Sequence, residues 1–394
     1  MNSIPHALDK SLIEEALLKV VSTGNDLKLD CSPNHGYGLY ALLADATWRF
    51  TDESKWLLTR NEYLAKGRDS LSKERLSTSF FRSAPGYAWV VGKLCKSSHS
   101  PDWLETIEEI VRVYQVALVS KPLLAFDLVS GIAGLVVFAR SLPPLPRNNI
   151  LDSLWDVVSI YISSAKAGFR WNNNSFDDGI DVGLAHGIPG LLSAFASAIV
   201  DGWRNDDAKA WIIAGGEWLW TKRINGIRGK KYFPYSVGSN NLARVGWCYG
   251  DLGNAIAYAW LSHIDNSFAS YIEQCLISAI QLKLSSFHGI SDGCICHGTT
   301  GWTYLIARLL EGGWLGGDFY AENMQQDDLL QLRKNLEEIC ETGYIKHVLN
   351  GDLMILHTIL EGAPGVVLAA SSLINPLCRT WEGMMLLDFP SRQS

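Results

Sequence analysis

Several things are scarce or missing in this chain, and each gap excludes something. Cysteine is sparse: eight residues in 394, irregularly spaced, which is no disulfide framework and leads us to expect reduced thiols in a cytoplasmic protein. A basic excess is absent. The net charge is −7 and the pI near 5.7, so nucleic acid is not an expected partner. No apolar run reaches about 18 residues without a charge or glycine, which excludes a membrane-spanning helix by length. The opening residues Met1 to His6 lack the basic-then-apolar pattern of a secretion signal. No flexible linker or low-complexity tract interrupts the chain, so one domain covering 1–394 is expected.

What is present is enough apolar material for a large core, with 47% hydrophobic and 19% charged residues, and a repeat. Short glycine turns recur, each followed by about ten mostly apolar residues. Their closing glycines are Gly38, Gly86, Gly134, Gly190, Gly253, Gly301 and Gly365. A period near 50 fits a two-helix unit, although propeller blades share that length. Composition decides between them. The stretches from Leu39 and from Leu191 are rich in Ala and Leu, which favours buried helix over strand. Between the turns lie amphipathic stretches such as Ser11–Val21 and Trp103–Leu118, with the polar face of an outer helix. The expected fold is all-α: an α/α toroid of seven inner and seven outer helices, with a loop-lined face where the turns converge. Glycine at each inner-helix entry would let backbones crowd where a side chain collides.

Two of these turns carry metal-ligand chemistry. Turn five reads Gly-Trp-Cys-Tyr-Gly at 246–250 and turn six reads Cys-His-Gly at 296–298. Cys248, Cys296 and His297 supply two sulfurs and one imidazole nitrogen, a donor set suited to zinc. Three protein ligands leave a tetrahedral ion one open position, as in a catalytic site. Neighbouring repeats in a ring would bring the two turns together. The competing reading makes the thiols small buried residues in tight turns; two such motifs in consecutive repeats weigh against it. Cys294 precedes Cys296 by two, but a fourth ligand there would close the site, so it is left out of the expected set.

The Trp-Cys-Tyr-Gly and Cys-His-Gly pair, set among seven glycine turns, resembles the lanthionine synthetase C-like family from about Gly38 to Gly365. The resemblance implies the same toroid, one catalytic Zn²⁺, and closure of thioether rings by addition of peptide cysteine thiols to dehydroalanine or dehydrobutyrine. It places the zinc ligands on Cys248, Cys296 and His297. It places further site residues on Arg244 in Arg-Val-Gly-Trp-Cys, Tyr249 after the first ligand, His186 in Ala-His-Gly-Ile-Pro-Gly, and Asp127 in Asp-Leu-Val-Ser-Gly-Ile-Ala-Gly.

The chemistry suits these residue types. A free cysteine is only a few per cent thiolate at neutral pH, and a coordinating metal removes the proton outright. Two cysteine ligands already neutralise the +2 charge, so a third sulfur would stay electron-rich. Addition at the β-carbon pushes charge onto the peptide carbonyl, which asks for a cation or donor such as Arg244 or His186. The α-carbon then needs a proton, and a histidine near its ordinary pKa suits that task. The expected roles are His186 as general acid, Asp127 fixing or charging it, and Arg244 with Tyr249 orienting the enolate or the thiolate. Each has a plainer competitor. Asp127 is also a good helix cap, Arg244 a plausible structural ion pair, and Tyr249 a core aromatic.

Thr221–Val237 departs from the repeat. Asn225-Gly226 within β-branched and aromatic residues predicts a hairpin with a type I′ turn, read either as a basic solvated insertion or as a peptide-docking edge. The expected partners are a dehydrated precursor peptide, leader plus core, together with a dehydratase and an exporter. Any membrane association would arise through those partners. Two other functional readings are carried: an enzyme adding glutathione to dehydroamino acids in proteins, and a non-catalytic peptide-binding scaffold.

Overall fold

The computed structural model describes residues 8–24, 29–71, 77–95, 101–119, 125–161, 179–285, 289–290, 292–314, 326–349 and 352–392. The six residues read for a secretion signal lie outside these. Among the described residues, fourteen α-helices alternate between two kinds. The seven that follow the glycine turns are α2 (Tyr37–Thr51), α4 (Ala84–Leu94), α6 (Ile132–Arg140), α8 (Ile188–Val200), α10 (Gly250–Ser262), α12 (Thr299–Glu311) and α14 (Ala363–Ile374). Between them run α1 (Lys10–Thr23), α3 (Lys55–Leu71), α5 (Pro101–Val119), α7 (Pro144–Ser159), α9 (Asp206–Trp220), α11 (Ala269–Lys283) and α13 (Gln326–Thr342).

The two kinds differ as their sequences predict. Every residue of α10 is buried, as is α8 from Ile188 to Ala198, so these helices bury their whole circumference rather than one stripe. By contrast α3 buries only Tyr63, Leu64 and Gly67, and its polar remainder faces water.

How the buried helices begin is what positions the site. None of the six that follow a Gly or Ser cap residue is capped by that residue's side chain. The orphan N–H groups of a helix start are instead taken by carbonyls of the turn itself. Tyr37 N–H donates to Asp30 C=O at 2.8 Å, Ile132 to Ala125 at 2.8 Å, Ile188 to Asp181 at 3.1 Å and Thr299 to Asp292 at 2.9 Å. Each turn folds back on the helix it starts, and the two side chains before the first glycine are released from capping duty. The closing glycine is needed for that fold-back: a Cβ on Gly301 would sit 2.0 Å from Ile295 C=O and one on Gly190 2.2 Å from Leu184 C=O. The collision anticipated from the sequence is thus with the turn's own backbone.

The chain divides into two compact units. One comprises Met1–Ser77, Phe81–His99 and Ile290–Met385; the other Thr78–Phe80, Ser100–Gly289 and Leu386–Ser394. In the first, single backbone hydrogen bonds string the turns in the order six, seven, one, two. Cys296 N–H donates to Leu360 C=O at 2.9 Å, Ile359 to Asn34 at 2.8 Å and Asn34 to Phe81 at 3.1 Å. In the second, Leu128 N–H donates to Ala185 C=O at 3.0 Å and Ala185 N–H to Cys248 C=O at 3.2 Å, giving the order three, four, five. The second unit also buries Arg140, whose guanidinium reaches Asp201 at 2.7 Å and Asp388 at 3.2 Å above the Trp260 ring.

The expected hairpin is present with a different tip. Strands β1 (Ile224–Asn225) and β2 (Lys231–Tyr232) pair antiparallel, Asn225 opposite Lys231. The loop between them is therefore five residues long, and the left-handed positions are Arg228 (φ 53°) and Gly229 (φ 70°). Gly226 has a negative φ of −142°, and a Cβ there would strike the Tyr232 ring at 2.5 Å. Packing against that ring overrides the type I′ preference of Asn-Gly. A second pair, β3 (Lys346–Leu349) with β4 (Asp352–Ile355), went unforeseen; Asn350-Gly351 between them is the same turn signal.

Candidate active site

In the second unit, turns three, four and five supply an acid–base cluster. His186 and Tyr249 occupy the same step, one residue before the first glycine of their turns. The His186 side chain is 45% exposed, with Nδ1 3.8 Å from Asp127 Oδ1. That oxygen is fixed by the backbone N–H groups of Val129 at 2.9 Å and Ser130 at 2.8 Å. Asp127 therefore acts as the acceptor of its own turn and as the carboxylate beside His186, while α6 is capped by other groups. This carboxylate raises the His186 pKa against the effect of burial, with Cys248 and Asp181 adding to the rise.

Tyr249 packs at 6.0 Å from the His186 ring and edge-on to Tyr235 at 5.1 Å. Its hydroxyl donates to Asp181 Oδ1 at 3.4 Å. Burial first, then the charges of Asp181 and Cys248, push the phenol pKa up, with Arg244 opposing. Tyr249 therefore remains a protonated donor. Arg244 lies half-buried on the same loop, its backbone N–H donating to the Tyr235 hydroxyl at 3.3 Å. Burial raises the Asp181 pKa, against His186 and Tyr249. Cys248 is buried two residues ahead of the helix-opening glycine.

In the first unit, turn six places Cys296 at that same step, also buried, with His297 next to it. His297 Nε2 faces Asp292 Oδ2 at 3.6 Å, the two side chains 8% and 1% exposed. Asp292, Cys294 and His297 form a cluster of potential metal ligands whose donor atoms all lie within 4.8 Å of one another. Burial, with Asp292 beside it, pushes the Cys294 thiol well above the usual range. Turn six has the chemistry of a zinc half-site: soft sulfur, an imidazole, and an anion behind the ring.

Comparison with known proteins fits this arrangement of turns. The chain matches the lanthionine synthetase C-like protein family over residues 28–386. The chain belongs to that family. Among curated relatives of this family, the nisin biosynthesis protein NisC of Lactococcus lactis subsp. lactis is 27% identical over 202 residues, 45% of this chain. That match spans about half of the relative, 47% of its length. Among solved structures, nisin cyclase superposes with a TM-score of 0.71 at 18% identity, covering 95% of this chain and 96% of its own. That likeness shows the fold, the α/α toroid of seven inner and seven outer helices expected from the sequence. No helix among the described residues is long and apolar enough to cross a membrane.

Sequence reasoning about the family motif passed over Asp181, Tyr235 and Asp292. Two of them were findable. Asp181 and Asp292 each stand five residues before a turn histidine, His186 and His297, and Asp30 stands likewise before His35. Tyr235 carries no such signal, because it reaches Tyr249 from the hairpin segment.

Proposed function

We propose that this protein is a zinc-dependent cyclase that forms lanthionine and methyllanthionine in a dehydrated, ribosomally made peptide. Cys248, Cys296 and His297 would hold the ion. The observation that carries the reading is the donor set: buried thiols at the same step of turns five and six, and a buried imidazole backed by Asp292. Both the family and the name of its solved relative, nisin cyclase, support it.

Bound there, zinc would supply thiolate chemistry, stripping the proton from a substrate cysteine and leaving its sulfur nucleophilic. The remaining work falls to this chain's own side chains. Addition to the dehydroamino acid forms a C–S bond at the β-carbon and moves an electron pair toward the carbonyl oxygen. Arg244 and the Tyr249 hydroxyl are the donors for that developing charge. His186, whose pKa Asp127 raises, delivers the proton to the α-carbon and completes the thioether. A precursor peptide and a dehydratase that prepares it are the partners such a reaction needs, and an exporter would carry the product onward. A cytoplasmic location follows from the same reading.

The test is to incubate zinc-loaded protein with a dehydrated precursor, alkylate the remaining thiols and weigh the peptide. Ring closure consumes a peptide thiol with no change of mass before alkylation. A gain of one glutathione, when glutathione is supplied, would instead establish the glutathione-adding enzyme. Binding of the peptide with no thiol consumed in either assay would leave a scaffold and refute the cyclase.

A further inference from the structure

Turns one and six of the first unit are built alike, residue for residue. Asp30, Ser32, Asn34 and His35 stand before Gly36 at the steps that Asp292, Cys294, Cys296 and His297 hold before Gly298. The contacts follow the same pattern, with the carboxylate at hydrogen-bond distance from the ring in turn one and at ion-pair distance in turn six. Asp30 Oδ1 accepts from Ser32 N–H at 2.9 Å, and Asp292 Oδ1 from Cys294 N–H at 3.0 Å. His35 N–H donates to Ser32 Oγ at 3.4 Å, and His297 N–H to Cys294 Sγ at 3.5 Å. The second carboxylate oxygen faces the ring: Asp30 Oδ2 lies 2.9 Å from His35 Nε2 and Asp292 Oδ2 3.6 Å from His297 Nε2. Neither glycine has room for a Cβ, which would sit 2.2 Å from Asp30 Oδ1 or 2.5 Å from Asp292 Oδ1.

From this we infer that Asp292 is the positioning residue of the metal centre: it holds the Nε2 side of His297 and so presents Nδ1 as the ligand atom. A metal-binding histidine needs its other ring nitrogen protonated and its ring plane fixed, and a carboxylate behind it does both. Here the carboxylate cannot turn, because its other oxygen is tied to Cys294 N–H. Turn one then shows the clamp to be a property of the turn, since it forms around His35 with Asn34 in the place of the cysteine. Turn six adds the sulfur and so turns a structural clamp into a ligand mount. Asp292 touches no reacting atom in this scheme. The inference rests on the zinc reading above.

Asp292→Asn is the informative change. With its oxygen still accepting from Cys294 N–H, the new amide would point its NH₂ at Nε2. That disfavours a proton on Nε2, moves it to Nδ1, and blocks the ligand atom. Zinc affinity, measured by competition with a chromophoric chelator, should fall about 10- to 100-fold, the usual cost of losing such a partner. In the cobalt-substituted protein the sulfur-to-metal charge-transfer bands should shift or weaken. Asp30→Asn, the same change in turn one, should leave zinc affinity as in the parent. Melting of the metal-free proteins reports folding, and Asp292→Ala, which leaves the ring unclamped but unopposed, serves if the first variant does not fold. Undiminished affinity in the folded Asp292 variants overturns the inference, as does an equal loss in Asp30→Asn. A parent protein that binds no zinc overturns the zinc reading itself, and this inference with it.

Discussion

His186 Nδ1 lies 3.8 Å from Asp127 Oδ1, and that oxygen is pinned by two backbone N–H groups of turn three. The distance is that of an ion pair rather than a hydrogen bond. The carboxylate therefore acts on His186 chiefly through its charge, and keeps that charge in place by belonging to a rigid turn. An amide in its place would keep the turn and lose the field.

Asp127→Asn should accordingly fold normally, because its oxygen still accepts from Val129 and Ser130. The raised pKa of His186 should drop. If the imidazolium is the proton donor, activity falls as pH rises through that pKa. The alkaline limb of the pH–rate profile should then move to lower pH in the variant, with a loss at neutral pH of roughly 10²-fold or more. A lower rate with an unmoved alkaline limb would mean that Asp127 acts on the turn rather than on the histidine.

Metal removal gives a second expectation. Dialysis against a strong chelator should abolish ring closure, and stoichiometric zinc should restore it. Cys296→Ala should bind zinc at least about 100-fold more weakly, since a coordinating thiolate is lost from a three-ligand set. Full activity in exhaustively metal-free protein would end the zinc reading.

Stability should fall as pH rises toward neutrality because of Asp251. This residue is fully buried in the first turn of α10, with Oδ2 accepting from Phe233 N–H at 3.2 Å and Arg223 Nε 4.0 Å from Oδ1. Burial pushes its carboxyl up to about 7, against the pull of Arg223. The unfolded chain would titrate near 3.9. Between those values the folded state holds a proton that the unfolded state has released, so unfolding free energy decreases with rising pH across that window. Asp251→Asn keeps the acceptor oxygen for Phe233 and removes the titration. Urea midpoints at pH 5 and pH 8 should differ less in the variant than in the parent; an unchanged difference would assign the slope to other groups.

Arg140 offers a test of the second unit's core. It is held between Asp201 and Asp388 over Trp260, and Arg140→Ala leaves two carboxylates without their cation. A loss of about 1–3 kcal/mol is expected on denaturant unfolding, the range for losing charge-assisted hydrogen bonds to carboxylates that water partly reaches. A loss under 1 kcal/mol would mean that water replaces the guanidinium at little cost.

Gly301→Ala tests the fold-back itself. With the new Cβ 2.0 Å from Ile295 C=O, backbone rather than a flexible side chain must yield. Destabilisation of at least about 1–3 kcal/mol is expected from overpacking of this kind, together with weaker zinc binding because Ile295 sits between Cys294 and Cys296. Melting and chelator competition on the same preparation would separate the two effects.

Much of this was legible in the sequence, and for physical reasons. Most of the inner helices were readable because Gly38, Gly134, Gly190, Gly253, Gly301 and Gly365 each stand where a Cβ would strike the turn's own backbone. The two kinds of helix were readable because burial on all sides, as in the run from Leu191, and burial on one stripe, as in Ser11–Val21, leave different periodicities. The hairpin's existence was readable from Thr221–Val237, but its tip was not: the Tyr232 ring over Gly226 is a tertiary contact, and it moved the left-handed residues to Arg228 and Gly229. Asp181 and Asp292 were overlooked although their five-residue lead over a histidine is visible, because an aspartate in a glycine turn has a local explanation already. Tyr235 came from outside the repeat and left no trace in it.

The match between turns one and six has a consequence for rewriting this molecule. Turn one already owns the clamped imidazole and the glycine that makes room for it, and differs at the sulfur step by the single residue Asn34. Asn34→Cys would therefore install a thiol beside a pre-oriented histidine without asking the backbone to move. The fold behaves as a row of sockets, each accepting a two-residue plug, and the chemistry of a given socket is decided by which plug it receives.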